Sequence, residues 1–123
     1  MARAILIIED DNFLQGLEAK KMKKEGYDVY TAGNSVEAFR IIDKKIKIDM
    51  ILLDLMLPDV DGFEILRKVR ATPDVSSVPV IVFSNLSEEK DIEKAKQLGI
   101  SEFMVKSNFT LDQLADEVKA ILG

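Results

Sequence analysis

Short apolar runs alternate with longer stretches of helical periodicity along the whole chain, and this alternation constrains the fold more than any other feature. Four runs are apolar and too short to be ordinary helices, and they lie at 4–8, 50–53, 78–83 and 103–105. A fifth stretch, 27–31, alternates apolar and polar residues, as an edge strand does. The pattern therefore predicts five strands, four of them buried on both faces.

The stretches between these runs repeat apolar residues at intervals of three or four, the period of an amphipathic helix. The repeating residues are Val36, Phe39, Ile42 and Ile46; Phe63, Leu66 and Val69; Ile92, Ala95 and Leu98; and Leu111, Leu114, Ala115, Val118 and Ile121. The stretch 13–25 has a weaker stripe, because Phe13, Leu14 and Leu17 share a face that Met22 does not join. We therefore predict five helices.

Residues typical of helix ends support these helices. Asn34 with Glu37, and Thr110 with Gln113, have the spacing of capping boxes. Gly99 stands where the fourth helix is expected to end in a left-handed residue.

Strands that are apolar on both faces and alternate with helices imply a parallel sheet covered by helices on both sides. The chain has 123 residues, of which 47% are apolar, so it is long enough for one domain with a substantial core. We therefore predict an α/β fold with a doubly wound parallel sheet of five strands, forming a single domain over residues 1–123.

Composition excludes several classes of function. The net charge is −5, which disfavours a nucleic acid or an anionic membrane as a direct partner. The chain has no cysteine and no histidine, so disulfides, the usual zinc sites, cysteine nucleophiles and histidine bases are excluded. No apolar run could span a bilayer, and the first residues do not form a signal peptide. We therefore expect a cytoplasmic protein.

Polar residues directly follow four of the predicted strands. They are Glu9, Asp10 and Asp11 after the first strand, Asp54 after the third, Ser84 and Asn85 after the fourth, and Lys106 after the fifth. The carboxyl ends of parallel strands lie at one edge of the sheet, where ligands bind. These side chains are therefore expected to converge there.

Such a set of side chains suits phosphoryl chemistry. Carboxylates without histidine or cysteine favour Mg²⁺ over a transition metal, and a cation between them relieves their repulsion. A carboxylate such as Asp54, beside Mg²⁺ and Lys106, can attack phosphorus. Ser84 and Lys106 would then hold the oxygens of the incoming phosphoryl group.

Four segments, in this order and at this spacing, are similar to the receiver domain of bacterial response regulators. They are ILIIEDD (5–11), ILLDLMLPDVDG (51–62), VPVIVFSN (78–85) and FMVKS (103–107). The resemblance covers essentially the full chain. It implies a flavodoxin-like (βα)₅ fold with strand order 2-1-3-4-5.

The resemblance implies a metal site and a phospho-acceptor. Asp54 matches the residue that accepts the phosphoryl group in the family. Asp10 matches the acid that binds Mg²⁺ directly, and Glu9 the acid that usually acts through water. Met56 matches the residue whose backbone carbonyl completes the metal site.

The resemblance also implies a conformational switch. Ser84 matches the switch hydroxyl, Phe103 the switch aromatic, and Lys106 the lysine that holds the phosphoryl group. Pro58 and Gly62 match the loop that shapes the site.

Three positions depart from the family pattern. Ser107 follows Lys106 where proline is common, Glu9 replaces aspartate, and Phe103 replaces tyrosine or histidine. Asp11 falls one residue beyond the acidic pair, so we interpret it as the start of a helix.

The implied function is that of a response regulator receiver in a two-component system. A sensor histidine kinase or a phosphotransfer protein would supply the phosphoryl group to Asp54 with Mg²⁺. The phosphorylated chain would control an output protein or domain that the sequence does not identify. The chain would not be an enzyme beyond catalysing its own phosphorylation and dephosphorylation.

Two other classes of function fit parts of the pattern. A phosphatase of the haloacid dehalogenase type would want a second acid at Met56 and a cap insertion, for which the chain has no room. A degenerate receiver that only binds partners would be expected to lack Asp10, Asp54 or Lys106, and all three are present. A Rossmann nucleotide-binding domain is disfavoured because no G-x-G-x-x-G follows the first strand.

The run 20–24, rich in lysine, is interpreted as a solvated helix face.

Overall fold

The computed structural model describes residues 2–123 and confirms five parallel strands alternating with five α-helices. The strands are β1 (Ala4–Ile8), β2 (Asp28–Ala32), β3 (Met50–Leu53), β4 (Val80–Ser84) and β5 (Glu102–Val105). The helices are α1 (Asn12–Lys24), α2 (Ser35–Asp43), α3 (Gly62–Ala71), α4 (Glu89–Leu98) and α5 (Leu111–Leu122). None of these helices is long and apolar enough to cross a membrane.

The strands form one sheet with the order β2-β1-β3-β4-β5, as the resemblance implied. β1 pairs with β2 on one side and with β3 on the other, and its last residue, Ile8, lies opposite both Ala32 and Leu53. The fourth strand begins at Val80 rather than at Val78, since Pro79 has no amide hydrogen to contribute to a ladder. All five strands run in the same direction, so their carboxyl ends share one edge.

Alternate residues of each strand build two separate cores, one on each face of the sheet. Leu6 and Ile8 face the core that α2, α3 and α4 cover. Ile5 and Ile7 face the core that α1 and α5 cover. Because both faces are covered, every residue of β1, β3 and β4 is buried, which explains why their sequences are continuously apolar.

The weak apolar stripe of α1 does not mark the buried face of this helix. Phe13 is 78% exposed, whereas Met22, which lies off the predicted stripe, is fully buried. The buried residues of α1 are Glu18, Ala19 and Met22. The helix has a weak apolar stripe, so its orientation is set by what it packs against rather than by its own pattern.

The predicted helix ends are largely confirmed. Thr110 and Gln113 form a complete capping box at the start of α5. Gly99 ends α4 in the left-handed conformation with φ of 93°. Asn34 accepts a hydrogen bond from the Glu37 amide, but the Glu37 carboxylate accepts from the amide of the residue before Asn34, so the predicted box there is only half formed.

Candidate functional site

The structure brings together the polar residues that end four strands. Lys106 Nζ lies 2.6 Å from Asp54 Oδ2 and 2.6 Å from Glu9 Oε1, so one ammonium bridges the ends of β5, β3 and β1. Ser84, the last residue of β4, donates a hydrogen bond of 2.8 Å from Oγ to Asp54 Oδ1. The predicted convergence at the carboxyl edge of the sheet is therefore confirmed, with Asp54 at its centre. Asn85, by contrast, is exposed.

Asp54 is buried and fully engaged by its neighbours. Its amide continues the ladder by donating to the Ile8 carbonyl at 3.0 Å, which fixes the backbone where β3 ends. Its Oδ1 atom also accepts a 3.0 Å hydrogen bond from the Met56 amide. These contacts compensate the desolvation of a carboxylate whose exposure is 5%. They also place the backbone of Met56 directly beside the carboxylate.

Three carboxylates form a cluster on the open side of Asp54. Glu9, Asp10 and Asp54 each offer one oxygen, and these oxygens lie within 4.8 Å of one another. Glu9 and Asp54 are buried, while Asp10 is exposed at the rim. The Glu9 carboxylate is oriented by a 3.1 Å hydrogen bond from the Asp11 amide. Mg²⁺ prefers oxygen ligands and keeps several bound waters. Three carboxylate oxygens at this separation, with Asp10 open to solvent, therefore fit a Mg²⁺ ion.

Burial and charge set the ionisation of the cluster. Burial raises the pKa of Glu9 above its usual range, and its ion pair with Lys106 offsets this only in part. Burial works against the charge of Lys106, but Asp54 and Glu9 together outweigh it and raise the pKa of the ammonium. Lys106 is therefore a charged ammonium at neutral pH, facing two carboxylates.

Glu18 is a buried acid beneath this cluster that no motif in the sequence marks. It is 2% exposed, and its Oε1 atom has no hydrogen-bond partner among residues 2–123. Burial, followed by the charge of Glu9, raises the pKa of Glu18 to about 8. Its spacing of four residues from Met22 would have revealed it, had the buried face of α1 been assigned correctly.

Asp11 has a structural position, as predicted. It caps α1 by accepting a 3.0 Å hydrogen bond from the Leu14 amide. The cap starts the helix immediately after Asp10, so the backbone turns away from the cluster at that point.

The loop between β3 and α3 is closed by a very tight contact. The Gly62 amide donates to the Leu55 carbonyl at 3.0 Å, and Asp61 caps α3 by accepting from the Phe63 amide. A Cβ atom at Gly62 would lie 2.3 Å from Leu55 Cα, closer than any real contact. Only glycine fits here, and the contact determines the course of the chain just after Asp54.

We expect Gly62→Ala to destabilise the protein by about 1–3 kcal/mol or more, because the methyl group overlaps backbone atoms that cannot move independently. Gly16→Ala is the matched control, because Gly16 lies in α1 with open space around its Cβ position. In that variant the free energy of unfolding should rise by roughly 0.5–1 kcal/mol, because alanine has a higher helix propensity than glycine. Urea unfolding of both proteins measures the difference. Equal stabilities would show that the loop tolerates a wider approach.

Ser84 and Phe103 lie on the same side of the sheet. Val82 pairs with Phe103 and Ser84 with Val105, so the two side chains are diagonal neighbours on adjacent strands. Both are buried, and Phe103 packs in the core beneath α4. The peptide between Lys106 and Ser107 is trans, and these residues enter a short 3₁₀ turn, Lys106–Asn108.

The sequence matches the response regulator receiver domain family over residues 5–119. The chain belongs to this family. It is 32% identical over 122 residues to sporulation initiation phosphotransferase F of Bacillus subtilis, an alignment covering 99% of this chain and 95% of that protein. It is 39% identical over 123 residues to the transcriptional regulatory protein KdpE of Staphylococcus aureus, covering 98% of this chain but 50% of KdpE. It is thus a receiver domain of two-component signalling, where phosphorylation-dependent switching is typical.

Solved structures agree with this assignment. The chemotaxis protein CheY4 of Vibrio cholerae superposes with a TM-score of 0.91 at 22% identity, covering 99% of this receiver and all of CheY4, which shows the shared fold. The Mn²⁺-bound form of response regulator Rcp1 superposes with a TM-score of 0.81 at 25% identity, covering 97% of this receiver and 91% of Rcp1.

Proposed function

We propose that this receiver accepts a phosphoryl group on Asp54 from a sensor histidine kinase or a phosphotransfer protein in the cytoplasm. The observation that carries the proposal is the position of the Asp54 carboxylate, held between the Ser84 hydroxyl and the Lys106 ammonium. The phosphorylated form would act on an output protein or domain. Residues 1–123 would form a single receiver domain that carries the phospho-acceptor.

Each residue of the site has a role in the transfer. An Asp54 oxygen attacks the phosphorus of the donor, so an O–P bond forms while the bond from phosphorus to the donor atom breaks and its electron pair leaves with the donor. Lys106 and Ser84, which now bind the two Asp54 oxygens, would shift to the oxygens of the incoming group and stabilise their charge. Hydrolysis of the acyl phosphate would return Asp54. The receiver would thus catalyse only its own phosphorylation and dephosphorylation.

Mg²⁺ is the cofactor that the donor set favours. Asp10 and Asp54 would bind it directly, Glu9 would act through water, and the Met56 backbone carbonyl would complete the set. The separation of the three carboxylates and the Mn²⁺ in the related Rcp1 structure support this site. When bound, the ion supplies positive charge that neutralises the phosphoryl oxygens.

The direct test is to incubate the receiver with acetyl phosphate and Mg²⁺ and then to map the phosphate. Borohydride reduction converts a phosphorylated aspartate into homoserine, which mass spectrometry locates in the sequence. We expect the label on Asp54 alone, and none when EDTA replaces Mg²⁺. A label on another residue, with Asp54 unmodified, would end the proposal.

Metal binding predicts an unusual order of melting temperatures. Removing one charge from the crowded cluster, as in Asp10→Asn, should stabilise the metal-free protein by roughly 1 kcal/mol, a typical gain at active sites. Mg²⁺ at ten times its Kd should stabilise the wild type by about 1.4 kcal/mol and the variant much less. Thermal melts of both proteins with and without Mg²⁺ measure this. A variant that melts clearly below the metal-free wild type would show that Asp10 supports the fold instead.

The same geometry supports a switch between Ser84 and Phe103. The Ser84 hydroxyl, which donates to Asp54 Oδ1 in this structure, would turn to bind a phosphoryl oxygen, and Phe103 would fill the space that the Ser84 side chain leaves. Their diagonal placement on adjacent strands supports a coupling of the two side chains.

A further inference from the structure

A groove between α2 and α3 lies on the surface away from the phosphorylation chemistry. It consists of two adjoining cavities of about 590 and 440 Å³ that share Ser35, Phe39 and Lys68. Apolar residues form much of the lining, with Val36 and Phe39 contributed by α2 and Val60 preceding α3. Val36 is 61% exposed and adds its apolar surface to that of Phe39 at the groove.

The charges around the groove are mainly positive. Four cationic side chains line it, Arg40, Lys44, Arg67 and Lys68, together with two carboxylates, Asp43 and Glu64. Glu64 is already paired with Arg67 at 3.2 Å. Within residues 2–123, no carboxylate lies within 4.0 Å of Arg40, Lys44 or Lys68. An excess of unpaired cations here contrasts with the net charge of −5 for the whole chain.

Two contacts join the walls of the groove and fix their separation. The Ser35 amide and hydroxyl both donate to the Asp59 carboxylate, at 3.1 and 2.5 Å, and tie the start of α2 to the loop before α3. The ammonium of Lys68 lies 4.1 Å above the centre of the Phe39 ring, a cation–π contact between the helices. A partner therefore meets a preformed surface and loses little free energy in ordering it.

We propose that this groove binds a short acidic helix of a partner protein, with one apolar edge. An apolar floor flanked by unpaired cations complements a helix whose aliphatic residues face inward and whose carboxylates flank them. The 10 residues of α3 make a wall about 15 Å long, enough for roughly three turns of the partner helix. The proposal does not depend on phosphorylation of Asp54, because no residue of the groove takes part in that chemistry.

The test uses a synthetic helical peptide of twelve residues, with leucines along one edge and glutamates on both flanks. The peptide is titrated into the ¹⁵N-labelled receiver, and amide chemical shifts are followed by NMR. We expect saturable shifts confined to α2, α3 and the loop before α3. A peptide with lysine in place of every glutamate should cause no saturable shift.

Matched variants distinguish the groove from a general charge effect. Arg40→Glu combined with Lys68→Glu should raise the Kd at least about tenfold, since like charges then face each other. Lys20→Glu combined with Lys24→Glu changes the net charge equally but lies on α1, across the sheet, and should change the Kd less than about twofold. Val36→Ser should weaken binding through the apolar contact alone.

Three outcomes would overturn the proposal. The first is the absence of saturable shifts in α2 and α3 with the acidic peptide. The second is an equal loss of affinity in both double variants, which would indicate non-specific attraction. The third is a dependence of the α2 and α3 shifts on receiver concentration without peptide, which would assign the groove to contacts between copies of this chain.

Discussion

Replacing Asp54 with asparagine should abolish phosphorylation by acetyl phosphate. The amide has the shape of the carboxylate but carries no charge and is not a nucleophile toward phosphorus, so the loss should exceed about a hundredfold in rate, the scale of removing an essential catalytic group. The measurement is phosphate incorporation, detected by intact-mass spectrometry over time in the presence of Mg²⁺.

Asp74→Asn serves as the control, because Asp74 is an exposed aspartate beyond the end of α3. That variant should be phosphorylated at the wild-type rate. Circular dichroism of all three proteins checks that Asp54→Asn keeps its fold, because Ser84 and Lys106 donate to different Asp54 oxygens and the amide retains only one of them. Full incorporation into a folded Asp54→Asn protein would remove Asp54 from the chemistry and leave the acid cluster without its proposed role.

Replacing Glu18 with methionine should stabilise the protein, and the gain should grow with pH. The pKa of Glu18 is raised from 4.5 to about 8 in the folded state, so folding opposes its ionisation. The contribution of Glu18 to the free energy of unfolding is therefore fully present below pH 4.5. It is lost as the pH rises from 4.5 to about 8. At pH 7 the cost is at most about 3.5 kcal/mol, since each pKa unit between 4.5 and 7 corresponds to about 1.4 kcal/mol.

The experiment is urea unfolding of Glu18→Met and wild type at pH 5, 7 and 9. Methionine has a similar volume and no charge, so it should fill the site without a cavity. The difference should stay below about 1 kcal/mol at pH 5 and be largest at pH 9. The variant should still lose some stability as pH rises above the usual pKa of a glutamate, because the raised pKa of Glu9 contributes with the same sign.

Glu93→Met, at an exposed position of α4, controls for the general effect of removing a carboxylate. Its stability difference from wild type should be small and nearly independent of pH. If Glu18→Met were instead less stable than wild type at pH 9, the Glu18 carboxylate would have a stabilising partner when ionised, contrary to its isolation in the structure.

The order of the elements and the residues of the site follow from the sequence. Each strand needs a continuous apolar run only if both faces of the sheet are covered, so the runs around Ile7 and Leu52 indicate a parallel, doubly wound sheet. In such a sheet all carboxyl ends meet at one edge, which places Asp10, Asp54 and Lys106 together without any tertiary information. The family motifs add the residues that the pattern alone does not mark, such as Met56.

Tertiary structure decided which side of each helix is buried where the sequence pattern was weak. In α1 the apolar stripe contains Phe13 and Leu17, but the buried residues are Glu18, Ala19 and Met22. Burial of a side chain depends on the atoms that other segments place over it, and a local period does not contain that information. Glu18 could therefore not be identified as a buried acid from its own helix.

Tertiary structure also decided the charge pairing within the site and the shape of the groove between α2 and α3. The sequence placed Lys106 near Asp54, but only the folded chain shows that the same ammonium also pairs with Glu9. The groove depends on the separation of α2 and α3 and on Lys68 reaching across to Phe39. Distances of this kind arise from how whole elements pack, because interiors are close-packed and each element adjusts to all of its neighbours at once.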